Sequence, residues 1–467
     1  MRARRSVLLL QALGAVALAS TAKAQQQVAP PSGQCQFTFE SPVTGRSSLK
    51  KQPSGQYNTF FGGGVTARCP AQGMTLVADS GEFFGDTRIV HLIGHVHYTE
   101  PRVKLDSRLL TYYMAAERVL VEGDVHATLP SGTTMQGPRA DYYRAVPGIR
   151  DQARMIAPGR PTIKLIEKDS TGKPAEPVTV IANTVTTVAD SLVYASGRVE
   201  ITRPDVIARG DSATMDSGHE FARLMRQPTI EARGDRPFTL YGTVIDLFGQ
   251  NRLLDRVLSM GKAKAVSQDA TIISDTLDFH MADGRLQRAF AWGASRAHAT
   301  SPTYDIVADS LDVMMPDQRL RQVHALRDAF AQSVPDTSKI RTTKRDWLSG
   351  DTIFAYFDST GRVAPGDTTH QPRIERLIAR GHARSFYQIA ARDTAAIGPA
   401  MNYVRGRDIT VAFADRQVSK VTITDQAAGV YLEPAPRVAD TTAKADTEST
   451  RTSRSSRPPG RPGRPVP

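Results

Sequence analysis

The chain has 467 residues, 40% hydrophobic, 7% aromatic and 23% charged. That is enough chain to bury a sizeable core, and it is too apolar to be wholly disordered. No apolar run reaches the roughly 20 residues of a membrane-spanning helix, which excludes a polytopic helical membrane protein. Two cysteines exclude a disulfide-dense framework and any all-cysteine zinc cage. The net charge is +12. Residues 1–24 hold Arg2, Arg4, Arg5 and Lys23, and residues 434–467 hold seven basic and three acidic residues, so each end carries +4. The body is left with little excess charge, and nucleic acid is not expected as a partner.

In chain order, residues 1–24 read as a secretory signal. Arginines precede an apolar stretch from Val7 to Ala19, and Ala22-Lys23-Ala24 forms a small-x-small cleavage site. No cysteine follows the site, so no lipid anchor is expected. An uncleaved anchor is the competing reading. Export implies an oxidising compartment, where Cys35 and Cys69 can pair; free thiols are the alternative. Residues 25–69 form a polar N-terminal segment. Phe61-Gly62-Gly63-Gly64-Val65 within it lacks the Gly-Lys-Ser/Thr of a phosphate loop.

From residue 70 helical periodicity gives way to short alternating runs. Ala78-Asp79-Ser80, Leu105-Asp106-Ser107, Ala140-Asp141-Tyr142, Ala182-Asn183-Thr184 and Gly210-Asp211-Ser212 begin a repeat. Ser274-Asp275-Thr276, Ala308-Asp309-Ser310 and Gly350-Asp351-Thr352 continue it, with weaker copies at Thr243 to Asp246 and Arg407-Asp408-Ile409. Asp followed by Ser is read here as turn chemistry at the start of a strand. The second half of each repeat is a strand with a central glycine. Val90, Leu92, Gly94, Val96 and Tyr98 share one parity, as do Val119, Val121, Gly123, Val125 and Ala127. Val193 to Ile201, Val257 to Ala265, Ala289 to Ala297 and Leu377 to Ser385 repeat it; in Val323 to Ala331, Arg327 takes the glycine's place. Alternation puts each set on one face, and a fixed glycine marks a bulge or a close approach.

Ten such repeats make about twenty strands. Short connections favour antiparallel neighbours, and a sheet with one apolar face must fold over to bury it. The expected fold is all-β: an elongated antiparallel β-jellyroll or an open, trough-like β-solenoid. Repeats occupy 70–167 and 178–433, with a break at Lys168 to Pro177 and a loop at Ser359 to Pro372. Residues 434–467 form a disordered basic tail.

The repeated Ala-Asp-Ser followed by Val-x-Val-x-Gly-x-Val resembles the LptA/OstA-like periplasmic lipopolysaccharide-transport proteins, also called organic-solvent-tolerance proteins. Val77 to Tyr98, Leu105 to Ala127 and Asp309 to Ala331 are the best copies, and the likeness spans roughly residues 70–433. The resemblance implies a V-shaped β-jellyroll whose groove holds the acyl chains of lipopolysaccharide or a similar multi-acyl glycolipid. It also implies a periplasmic bridge towards the outer membrane. Edge-strand pairing with other Lpt-type jellyroll proteins and head-to-tail self-association would assemble it. The chain is longer than the simple bridges, and it lacks both the large barrel of the outer-membrane member and a membrane helix in its mature part. No catalytic residue, cofactor or metal is implied. The inward residues proposed to line the lipid groove are Val90, Leu92, Val96, Val119, Val121, Val125, Val199, Ile201, Leu224, Ile230, Val257, Val323 and Leu377.

Inner positions after residue 260 are often alanine or serine, as at Ala291 and Ala329, which would leave room for acyl chains unless facing side chains fill it. Three competing readings stand beside this one. His91, His95, His97 and His126 could bind zinc, but no carboxylate is placed beside them by sequence. Asp79, Asp106, Asp275 and Asp309 could line a polysaccharide-processing groove, but once-per-repeat recurrence fits a structural role better than an acid–base pair. A purely structural envelope protein is the third reading. Trp292 and Trp347 fit packing or rim positions.

Overall fold

A computed structural model describes residues 36–43, 45–166, 177–189, 191–233, 237–250, 253–335, 342–358, 373–390, 398–414 and 417–434. The signal segment, Cys35, Lys168 to Glu176, Ser359 to Pro372 and the tail from Ala435 lie outside them. Among the described residues there are twenty-eight strands, and the only helical pieces are three 3-10 turns of three residues each. The chain is all-β, with every recorded strand pairing antiparallel. No described helix is long and apolar enough to cross a membrane. Two compact units divide at Ser196/Gly197, inside the strand Leu192–Thr202.

In the first unit the long strands Tyr57–Cys69, Met74–Phe84, Ile89–Glu100, Val103–Tyr113, Arg118–Thr128 and Thr134–Tyr143 pair in sequence order. In the second, Leu253–Ser267, Thr271–Ala282, Arg285–Thr300, Tyr304–Met314, Gln322–Ser333, Asp346–Phe357, Ile374–Ile389 and Ala400–Ala414 do the same. The strands alternate between those carrying the repeat's Asp and those carrying its glycine, so each repeat supplies one hairpin.

Every long pair is interrupted near its middle. Opposite Asp79 the ladder skips Gly94 and His95, and opposite Asp351 it skips Gly381 and His382. Both skipped residues have positive φ: 76° and 40° at Gly94 and His95, 72° and 49° at Gly381 and His382. A Cβ on Gly94 would lie 2.3 Å from Asp79 Oδ2, and one on Gly381 would lie 2.1 Å from Asp351 Oδ2. Glycine is therefore needed for both conformation and space. Arg327 adopts the same conformation, with φ 62°, opposite Asp309. Gly63 and Gly64, at φ 80° and 111°, form the first bulge. The glycine run that lacks phosphate-loop chemistry is thus the N-terminal copy of this device.

One expectation is corrected here. The repeat Asp does not start a strand: Asp79, Asp275, Asp309 and Asp351 sit mid-strand, opposite the bulge. The short carboxylates of Asp79, Asp275 and Asp351 fit where the facing glycine lacks a side chain, and Asp309 faces Arg327 instead. Asp106 and Asp141 occupy a different register. Arg108 stands at the bulge of that pair, Asp106 meets His97 at 2.6 Å, and Asp141 binds Arg118 in a bidentate pair at 2.6 and 2.7 Å.

Candidate functional site: the interior between half-strands

The bulges divide each sheet into two halves whose inner rows can be read from the registers. In the first unit Val90, Tyr112, Val119 and Tyr142 are consecutive partners on one side of the bulges. On the other side Leu76, Tyr98, Leu105, Ala127 and Met135 follow one another. The halves face each other: the Tyr98 and Tyr142 rings meet edge-on with centroids 6.5 Å apart. The second unit folds the same way, since Phe238 and Phe279 from opposite halves meet at 5.7 Å.

All thirteen residues proposed for the groove are buried on this inner face. Val90 to Val125 belong to the first unit and Val199 to Leu377 to the second. Most are packed against protein: Val96, Val119, Val121, Val125 and Leu224 are 0% exposed. Ala291 and Ala329 are buried as well. Burial of this kind supplies the core's stability at roughly 25 cal/mol per Å².

Part of the first unit's interior is filled by polar chemistry that the sequence reading missed, while a smaller apolar recess lies among Ala127, Met135, Ile163 and Val185. Arg144 is 4% exposed. Its Nε donates to Glu100 Oε2 at 2.7 Å, and its Nη1 donates to Glu117 Oε2 at 2.7 Å and Gln72 Oε1 at 2.6 Å. The Tyr142 hydroxyl donates to Glu100 and the Tyr112 hydroxyl to Glu117. Burial is the leading cause that pushes the Tyr98, Tyr112 and Tyr142 phenols well above their usual range, with Glu100 or Glu117 adding to it. The Arg144 guanidinium is held charged by its carboxylates and tyrosines, against the cost of burial. Phe37, beside the short strand Thr38–Glu40, caps this end by packing edge-on against Tyr112 at 5.7 Å. Inward tyrosines among aliphatic positions were the only sequence signal, because the hydrogen-bond partners of Arg144 lie 27 to 72 residues away. Cys69 is buried and disulfide-bonded; the chain's other cysteine, Cys35, lies outside the described residues.

The second unit differs at the equivalent place. Between its halves lies a cavity of about 510 Å³, partly open to solvent. Ile306, Ala331 and Leu348 line it from one half and Leu377, Val411 and Phe413 from the other. Ser385, opposite Leu348, also lines it. At its rim Asp346 accepts hydrogen bonds from Gln388 N and Nε2 at 3.0 and 3.1 Å. Burial pushes the Asp346 carboxyl above the usual carboxylate range, partly offset by Gln388. Trp347 lies between Phe330 and Phe386 in a stacked row with centroids 6.1 and 6.3 Å apart. Trp292 is 39% exposed on the outer face.

The other candidate chemistries are not assembled. His91 bonds Thr111, His95 bonds Asp79, His97 bonds Asp106, and His126 bonds the Asp124 carbonyl. Among the described residues no group of three or more His, Cys, Asp or Glu is gathered as a metal set. Asp79 and Asp106 are engaged with histidines, Asp275 accepts from Ser295 N at 2.7 Å, and Asp309 faces Arg327 at 3.5 Å. No protein-family model and no curated protein matches the chain.

Proposed function

We propose that the chain is an exported, non-catalytic lipid-binding protein of the cell envelope. Its inner sheet face holds acyl chains of lipopolysaccharide or a similar multi-acyl glycolipid on the way to the outer membrane. In this reading each unit is a β-jellyroll of OstA-like repeats, and the space between the halves of the second unit is the lipid trough. The observation that carries it is the apolar cavity of about 510 Å³ between the halves of the second unit. Its lining of aliphatic and aromatic side chains with few polar groups suits an apolar ligand. The repeat resemblance adds the periplasmic location and the glycolipid class.

Short edge strands support partner pairing of the Lpt type. Arg46–Lys51 pairs with one half of Tyr57–Cys69, and Ala428–Leu432 pairs with one half of Ala400–Ala414. Both are exposed, including Val430, Tyr431 and Leu432. Such edges are templates for another strand, in a related protein or a second copy of this chain.

The test is mass spectrometry of lipids extracted from the protein purified from its native envelope. Co-purified multi-acyl glycolipid is expected, and it should be depleted in an Ala331→Phe variant that fills the cavity. Folded protein without lipid would reject the reading. Val121 and Val199 are poor test sites, because a charge there would unfold the core.

A further inference from the structure

The cavity of the second unit contains a buried polar group that apolar binding does not use. Ser385 is 2% exposed, it lines the cavity, and its Oγ has no hydrogen-bond partner among the described residues. Its cross-strand neighbours are Leu348 and Val404, which offer no polar side chain. A buried hydroxyl left unpaired carries an uncompensated desolvation cost that alanine at the same place would avoid. The corresponding inner positions on nearby strands are Ile306, Ala331 and Leu348. Tyr304, Gln332, Ser333, Asp346 and Tyr387 also line the cavity, but among its lining only the Ser385 hydroxyl is both buried and unpaired.

The rest of the lining restricts what can meet it. No Lys, Arg or His lines the cavity, and its one ionisable acid is Asp346. An anionic headgroup would find no counter-charge and a carboxyl beside it, so phosphate and carboxylate are disfavoured inside. A neutral group that both donates and accepts has no such penalty and satisfies Ser385 in either direction. Resting on the lipid-binding reading above, we propose that this cavity selects an aliphatic chain bearing a hydroxyl group, hydrogen-bonded to Ser385 Oγ. The chain fills the space beside Ala331 and Leu377, and any charged headgroup stays in solvent. Ser385 is a specificity-determining residue on this account.

The experiment is displacement of a fluorescent fatty acid from the full chain. Competitors are an unsubstituted saturated fatty acid, a set of monohydroxy acids of equal length differing in hydroxyl position, and the matching alkylamine. At least one hydroxy acid is expected to bind about fivefold more tightly than the unsubstituted acid, the worth of one net hydrogen bond. Ser385→Ala should abolish that preference while keeping the unsubstituted acid's affinity. Equal affinity across the acids, or a preference that survives Ser385→Ala, would overturn the inference and leave lipid binding standing. Tightest binding of the alkylamine would overturn it in favour of Asp346 as the recognition group. Failure of every competitor and of the probe to bind would overturn both readings.

Discussion

The two units solve the same folding problem with different fillings. Just beyond the bulges, where the halves come together, the first unit places Val65 against Ala78, Val96 against Ser107, and Val125 against Gly137. The second places Ala263 against Ser274, Ala297 against Ala308, Ala329 against Gly350, and Ala383 against Gly406. Farther from the bulge the first unit has Tyr112 and Tyr142 locked by Arg144, Glu100 and Glu117, with the Tyr98 ring packed against Tyr142. There the second has Ala331, Leu348 and Ser385 around a cavity. One repeat pattern therefore yields both an interior filled by locked tyrosines, with a smaller apolar recess among Ala127, Met135, Ile163 and Val185, and one that keeps a larger recess. Inward volume decides between them, while the bulges stay constant.

The largest expected effect comes from breaking the lock in the first unit. Arg144→Met leaves two buried carboxylates without their cation, and loss of such a partner costs about 3–5 kcal/mol. Hydrogen exchange read by peptide mass spectrometry should show faster exchange in Ile89–Glu100 and Arg118–Thr128, with Tyr304–Met314 and Asp346–Phe357 unchanged. Equal loss of protection in all four would show that the lock does not act on the first unit alone.

Alkaline pH sharpens the same contrast. Tyr98, Tyr112 and Tyr142 keep their protons in the folded state above the pH where an unfolded tyrosine loses its own. Their contribution is fully present below about pH 10 and is lost as pH rises towards the folded-state values. Three coupled phenols give a limiting slope of about 4 kcal/mol per pH unit. In the second unit burial raises the Tyr387 phenol, with Tyr431 adding to it. Hydrogen exchange between pH 9 and 11, corrected for intrinsic rates, should show the first unit opening before the second.

A smaller effect is expected from exchanging the fillings beside the bulge. Val125→Ala should cost about 2 kcal/mol by leaving a void. Ala329→Val should cost about 1–3 kcal/mol by overpacking the place where the halves meet. Urea midpoints measure both. A stabilising Ala329→Val would mean that the second unit has spare room at the bulge as well as beyond it.

The β class, the strand alternation and the bulges were legible because each depends on local pattern. The parity of Val90 or Val257 sets its face, and Gly94 or Gly381 marks a conformation few other residues adopt. The role of the aspartates was less legible. Asp79 and Asp106 look alike in sequence, yet a register difference puts the first at a bulge and the second beside His97. The Arg144 cluster was not legible at all, because its members meet only after the halves face each other. Small residues after 260 pointed to space, but Ala291 and Ala329 are packed tight. The cavity lies farther along the half-strands, and only the facing rows locate it.

The central claim is that lipid enters the second unit and not the first. Its most direct test places a photoreactive benzophenone side chain at Ser333, which lines the cavity, or at Phe83, whose cross-strand partner Val90 lies in the first unit's inner row. Each protein is irradiated in its native envelope and its adducts are identified by mass spectrometry. The account predicts glycolipid adducts at position 333 and none at position 83. Adducts at position 83 alone, or equally at both, would contradict it.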